Sequence, residues 1–200
     1  MPFLKIHFVW RDIMTILEEV LESNDHFVKH LPEVYCAIKQ HEDKLPNRHL
    51  AIVTCMDTRL VDFLEPALGI RRGEAKIIKN AGNTVTGPFE ATIRSLMVGV
   101  FELGVKEIMV IGHHDCGIAN TTSHSLIEKM LNRGISKDAI QMIQEELERW
   151  LDNFKYPIEN VKQVVEKIRT NPLIPNDVPV HGLMFYTHSG KIDIVIDGYK

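Results

Sequence analysis

Glu107-Ile108-Met109-Val110-Ile111-Gly112-His113-His114-Asp115-Cys116-Gly117 decides the fold. Glu107–Ile111 is an almost wholly apolar run, too short for a helix, and reads as a buried parallel strand. Gly117-Ile118-Ala119-Asn120 reads as a helix start. His113 and Cys116 therefore sit at the mouth of a strand-to-helix turn. Their His-x-x-Cys spacing suits two ligands reaching one zinc ion from one turn. A second apolar strand, His49–Thr54, runs straight into Cys55-Met56-Asp57-Thr58-Arg59. Cys55, His113 and Cys116 would then meet at the carboxyl ends of two parallel strands. Open α/β sheets bind ligands in that crevice.

Around these strands the chain alternates. Leu45-Pro46-Asn47-Arg48 is a breaker before the first strand, and Val61–Leu68 reads as a short helix ending at Gly69. Glu74–Lys79 reads as the second strand, closing on Asn80-Ala81-Gly82. Phe89–Leu103 has helical spacing and stops at Gly104; Lys106–Ile111 is the third strand. Strand, helix, strand, helix, strand with short links means an α/β fold, mostly parallel, with right-handed crossovers.

Upstream, Trp10 to about Leu31 carries apolar residues at steps of three and four, an amphipathic helix. Taken by itself, it packs on its own domain. Downstream, helices are expected over Leu126–Leu131, from Ser136 to about Phe154, and from Pro157 toward Arg169. Val180–Thr187 and Ile192–Ile196 flank His188-Ser189-Gly190-Lys191 and read as a hairpin, one strand of which joins the sheet edge. The expected organisation is one domain over 1–200. A helical arm covers 1–48, a zinc-site core 49–117, and a helical region with the terminal hairpin 118–200.

Composition narrows the function classes. A length of 200 residues with net charge −4 gives a real core and no basic stripe, so a nucleic-acid partner is not expected. No apolar stretch approaches the length of a membrane span, and Phe8-Val9-Trp10 meets charges at Arg11 and Asp12. A soluble, cytoplasmic protein without a membrane partner is expected. Three cysteines without a secretion signal argue against a disulfide framework. Cys36, in a stretch of helical character, reads as a small apolar side chain.

Cys55-Met56-Asp57-Thr58-Arg59 followed by His113-His114-Asp115-Cys116, with Asn80-Ala81-Gly82 between, resembles the β-class carbonic anhydrases, in their compact, prokaryote-type branch. The resemblance implies one zinc ion on Cys55, His113 and Cys116 and the reversible hydration of carbon dioxide to bicarbonate. It implies a catalytic dyad of Asp57 and Arg59, with Asp57 binding zinc only in an inactive, closed state at lower pH. It also implies a homodimer or higher homo-oligomer, in which the N-terminal helix is an arm over a neighbouring subunit, the alternative to packing on its own domain.

The residues fit that chemistry. Three protein ligands leave a fourth position for water, and two thiolates with a neutral imidazole cancel the charge of zinc. Asp57 is near enough to accept a hydrogen bond from a zinc-bound hydroxide. Arg59 can pair with Asp57 through a fork and keep it off the metal. Asn80, Ala81 and Gly82 either border a small substrate or form a tight turn. His114 is a proton shuttle or an exposed loop residue, and Asp115 is a helix N-cap in preference to a catalytic acid. His124, His181 and His188 have no partner pattern. Two other functions share these motifs: hydrolysis of carbonyl sulfide or carbon disulfide on the same zinc site, and zinc-dependent binding or sensing without turnover. A structural zinc site would need Cys36 as a fourth ligand.

Overall fold

The structure is a computed structural model and describes residues 15–36, 44–152 and 154–200. The chain forms two compact units, residues 1–42 and 43–200.

In the first unit, helix α1 (Ile16–Lys29) opens on a capping box. The Thr15 hydroxyl accepts from the Glu18 amide, and the Glu18 carboxylate accepts from the Thr15 amide. Helix α2 (Glu33–Cys36) follows, with Tyr35 edge-on to Phe27 at 5.5 Å. No residue of α1 is buried; Ile16, Leu17, Val20, Leu21 and Val28 are all exposed. The expected helix start near Trp10 and the side chain of Cys36 lie outside the described residues.

The second unit is built on five strands: β1 (Leu50–Cys55), β2 (Ala75–Asn80), β3 (Glu107–His113), β4 (Val180–Phe185) and β5 (Ile192–Ile196). Their order is β2-β1-β3-β4-β5, and only β5 runs antiparallel, against β4. The mostly parallel sheet is as the alternation predicts. The hairpin differs from expectation, because both of its strands join the sheet. β4 lies inside it, parallel to β3, and β5 forms the edge. The connector before β4 is long enough for a crossover, which a hairpin pattern does not reveal.

The links carry helices α3 (Leu64–Ala67), α4 (Ala91–Glu102), α5 (Ser123–Asn132), α6 (Lys137–Gln141), α7 (Gln144–Leu151) and α8 (Pro157–Arg169). Glu90 caps α4 by accepting from the amides of Thr92 and Ile93, and Gly104, at φ 67°, follows its end. Pro157 starts α8, where its missing N–H costs nothing. The expected helix over Val61–Leu68 shrinks to α3, after a 3₁₀ turn at Thr58–Leu60. The expected long helix from Ser136 breaks at Met142–Ile143 into α6 and α7. Ile140, Leu147 and Leu151 point inward on both pieces, so their helical spacing hides the break. Among the described residues no helix is long and apolar enough to cross a membrane.

Every residue of β1 is buried, as a central strand covered on both faces requires. On one face, Ala51, Val53, Ile108 and Val110 pack with Ile93 and Leu96 of α4 and with Val161, Val164, Val165 and Ile168 of α8. On the other, Leu50 and Ile52 pack with Leu60, Leu64, Ile111 and Phe185. Helix α8 approaches β3 and β4 closely because both strands offer glycine beneath it. A Cβ on Gly112 would stand 2.6 Å from Val161 Cγ2, and one on Gly182 2.8 Å from Val161 Cγ1. Gly182→Ala should therefore overpack this seam and cost about 1–3 kcal/mol in urea unfolding. Combined with Val161→Ala it should cost less than the two changes summed, a coupling a double-mutant cycle measures. Parent-like stability of Gly182→Ala would refute the tight seam.

Candidate metal centre

Parallel pairing puts the ends of β1 and β3 side by side. The register runs from Leu50 opposite Glu107 to Thr54 opposite Ile111, and the Thr54 hydroxyl donates to the Ile111 carbonyl at 2.9 Å. Cys55 is the last residue of β1, and His113 the last of β3. Asp115, at φ 54°, turns the chain so that Cys116 returns to the same place. The ligand atoms of Cys55, His113 and Cys116 lie within 4.8 Å of one another, and all three residues are buried.

This cluster fits a tetrahedral metal. The two sulfurs are 3.8 Å apart. Zinc–sulfur bonds of about 2.3 Å at a tetrahedral angle place two sulfurs about 3.8 Å apart. His113 Nδ1 lies 2.8 Å from the His114 carbonyl, which can only accept, so Nδ1 carries the proton. Nε2 is left buried without a well-formed hydrogen bond, facing the thiols. A buried polar atom without a partner is costly, and a metal ion would satisfy this one.

Charges are strongly coupled here. The hydrogen bond from Cys116 pulls the Cys55 thiol well down despite burial, helped by His113 and by the amide N–H groups of Gly82 and Asp57. Cys116 is pushed up by that same bond and by burial. The pair thus loses one proton readily and holds the second. Burial works to lower His113, but its contacts with Cys55, the His114 carbonyl and Asp57 outweigh it and hold the imidazole above its usual range.

Asp57 stands beside the cluster, its Oδ2 3.8 Å from His113 Nε2. Arg59 grips it with a fork: Nε donates to Oδ1 and Nη2 to Oδ2, each at 2.9 Å. The Arg59 amide donates to Oδ1 as well, and Nη2 also reaches the Asp115 carbonyl at 2.8 Å. Asp115 therefore holds Arg59 through its backbone. It caps no helix: the turn at Gly117–Asn120 has Cys116 at its N-cap position, with no side-chain bond.

Asn80, Ala81 and Gly82 lead out of β2 beside Cys55, which pairs with Asn80. Asn80 is committed inside this turn: its amide donates to the Thr84 carbonyl and the Thr92 hydroxyl, and its oxygen accepts from the Thr84 amide. Met56 donates to the Asn80 carbonyl. His114 is half-buried with its ring 4.4 Å from that of Tyr186, and Tyr186 donates to Asp193. His181 is buried at the opposite ends of β3 and β4, 3.2 Å from Glu107.

Sequence reasoning passed over Asn160 and Phe154, which reach the Gly82 turn from α8 and from just after α7. The available signal was a polar residue flanking the buried Val161–Val164–Ile168 stripe. A cavity of about 620 Å³ lies between residues 84–86, α7 and α8, lined by Trp150, Phe154, Asn160 and Lys167 among others. None of Cys55, Asp57, His113 and Cys116 lines it.

Fold and site together define an α/β protein with a Cys-His-Cys cluster, able to hold a metal ion, at the carboxyl ends of neighbouring strands. The carbonic anhydrase family model matches residues 50–192. The β-carbonic anhydrase isoform I of Trichomonas vaginalis superposes with a TM-score of 0.87 at 43% identity, over 93% of this chain and 100% of that one. YvdA of Bacillus subtilis, whose name carries the carbonic anhydrase assignment provisionally, is 39% identical over 94% of each chain. A carbon disulfide hydrolase of Acidithiobacillus thiooxidans is 31% identical over 73% of this chain and 76% of its own. The chain belongs to the β-carbonic anhydrase family.

The fork sets the charge of Asp57. Hydrogen bonding from the Arg59 side chain, against burial, holds its carboxyl at about 2. Removing that cation removes the largest cause, so Arg59→Ala should raise this pKa toward the ordinary aspartate value of about 4. Carbon-13 resonances of the Asp57 carboxyl across acid pH would read the change; a midpoint left at the parent value would refute it.

Proposed function

We propose that the chain holds zinc through Cys55, His113 and Cys116 and catalyses the reversible hydration of carbon dioxide to bicarbonate and a proton. The observation that carries this reading is the convergence of three buried ligand atoms within 4.8 Å, beside a carboxylate held by an arginine fork. Three ligands leave the fourth position that a catalytic zinc site needs. Zinc in such a site supplies Lewis acidity and a nucleophilic oxygen from water near neutral pH.

The residues of the chain do the rest. Asp57 stays ionised, because Arg59 favours its charged form, and therefore only accepts hydrogen bonds. Oδ2 accepts from the attacking water and orients it. Arg59 holds that oxygen in place and keeps it from the metal. Asp57 would reach the metal only in a closed state, once the fork had opened. Carbon dioxide is small enough to lie against the backbone of the Asn80–Gly82 turn beside Cys55. The product bicarbonate leaves, and one proton passes to solvent.

Greater identity to the Trichomonas carbonic anhydrase than to the carbon disulfide hydrolase supports carbon dioxide as substrate. We place the protein in the cytoplasm, where reducing conditions keep Cys55 and Cys116, 3.8 Å apart, from oxidising. We also infer a homodimer or higher homo-oligomer, because the apolar stripe of α1 is exposed along its length.

Stopped-flow hydration of carbon dioxide by zinc-loaded protein tests the activity, with carbon disulfide and carbonyl sulfide assayed in parallel. Cys55→Ser, His113→Ala and Cys116→Ser should each lose most of the zinc by elemental analysis. Asp57→Ala should keep its zinc and lose roughly 10²–10⁴-fold in turnover. Parent-rate hydration by Asp57→Ala would end the proposed role of Asp57, and exclusive turnover of carbon disulfide would transfer the site to the other substrate. In sedimentation, the full chain should run as a dimer or a multiple of one, and deletion of residues 1–31 should weaken the assembly. A full-length monomer at micromolar concentration would count against the α1 stripe as its contact.

A further inference from the structure

The Gly82 turn touches the metal centre on one side and the α7–α8 region on the other. Gly82 has φ +77°, and a Cβ there would stand 2.8 Å from Phe154 Cε2. Only glycine combines that backbone with that ring contact. Glycine is also the residue with least intrinsic restraint, so what holds it must come from outside. Phe154 covers its Cα. Asn160 Nδ2 donates to its carbonyl at 3.0 Å. Its amide N–H lies toward the Cys55 sulfur and helps to hold that thiol low.

Asn160 is itself well anchored. It sits in the first turns of α8, and the next residue, Val161, fills the seam over Gly112 and Gly182. Its amide thus has a fixed origin on a buried helix. With its carbonyl held by Asn160 and its Cα covered by Phe154, the Gly82 peptide is kept in place and its N–H with it.

We propose that Asn160 is a positioning residue for the metal centre: by holding the Gly82 carbonyl it aims the Gly82 N–H at the Cys55 sulfur, and so limits the charge that thiolate donates. The inference rests on the zinc reading above. An N–H bond to a ligating sulfur withdraws charge from it. Without that bond the sulfur donates more strongly and the metal becomes a weaker Lewis acid. Groups one shell out from a metal commonly matter by 10–100-fold in affinity or activity.

Asn160→Leu removes the donor at similar size, and Asn160→Asp replaces it with an acceptor of the same shape. Val164→Ala is the control: it loosens α8 one turn further on without touching Gly82. Each protein is loaded with cobalt(II), and its thiolate-to-metal absorption band is recorded beside its thermal midpoint. Both Asn160 variants should bind cobalt with the band moved to longer wavelength, and their zinc forms should hydrate carbon dioxide about 10-fold more slowly. Val164→Ala should lower the thermal midpoint and leave the band in place. A band at the parent wavelength in whichever Asn160 variant folds would overturn the inference, as would an equal shift in Val164→Ala. A parent protein with no thiolate band would instead sink the zinc reading, and this inference with it.

Discussion

The parallel pairing of β1 with β3 is the constraint on which the rest depends. Cys55 ends one strand and His113 the other, and nothing between them in sequence fixes their distance. The ladder does, reinforced at its last rung by the Thr54 hydroxyl on the Ile111 carbonyl. A slip of one residue would turn every side chain of a strand to the opposite face. Ala51 and Val53 would then leave α4 and α8, and Cys55 would leave His113. Burial on both faces of β1 makes that slip costly, so the core protects the alignment of the candidate ligands.

Arg59 works at right angles to this ladder. Its fork holds Asp57, and the same Nη2 reaches the Asp115 carbonyl in the turn after β3. The loop that follows Cys55 is thereby tied to the loop that precedes Cys116. The carboxylate and the loops that carry Cys55 and Cys116 share one frame, with the charge of Asp57 kept negative by the group that positions it.

How much of this was legible follows from what is local. The two short motifs and the apolar runs before them read directly, because each lies within one strand and its turn. The parallel sheet follows from alternation. The position of β4 does not, since a run ending in a turn and a second run looks like a hairpin wherever the sheet lies. The break at Met142 is hidden because Ile140, Leu147 and Leu151 keep helical spacing on either side of it. Asp115 looked like a cap by its place before Gly117, but its left-handed backbone gives its carbonyl to Arg59. Asn160 acts on a residue far away in sequence, on Gly82, and no local pattern joins the two.

The long crossover from β3 to β4 supplies helices α5 to α8 and, through Phe154 and Asn160, the backing of the Gly82 turn. Past Cys116 it supplies none of the clustered ligand atoms. Donor atoms and the shell behind them are therefore written in separate stretches of the chain. Substitutions between Thr121 and Pro179 can reshape that shell while Cys55, His113 and Cys116 stay in register. In evolutionary terms, the donor set and the shell that tunes it become separately heritable: one lineage can keep its three clustered residues intact while the backing of the Gly82 turn drifts.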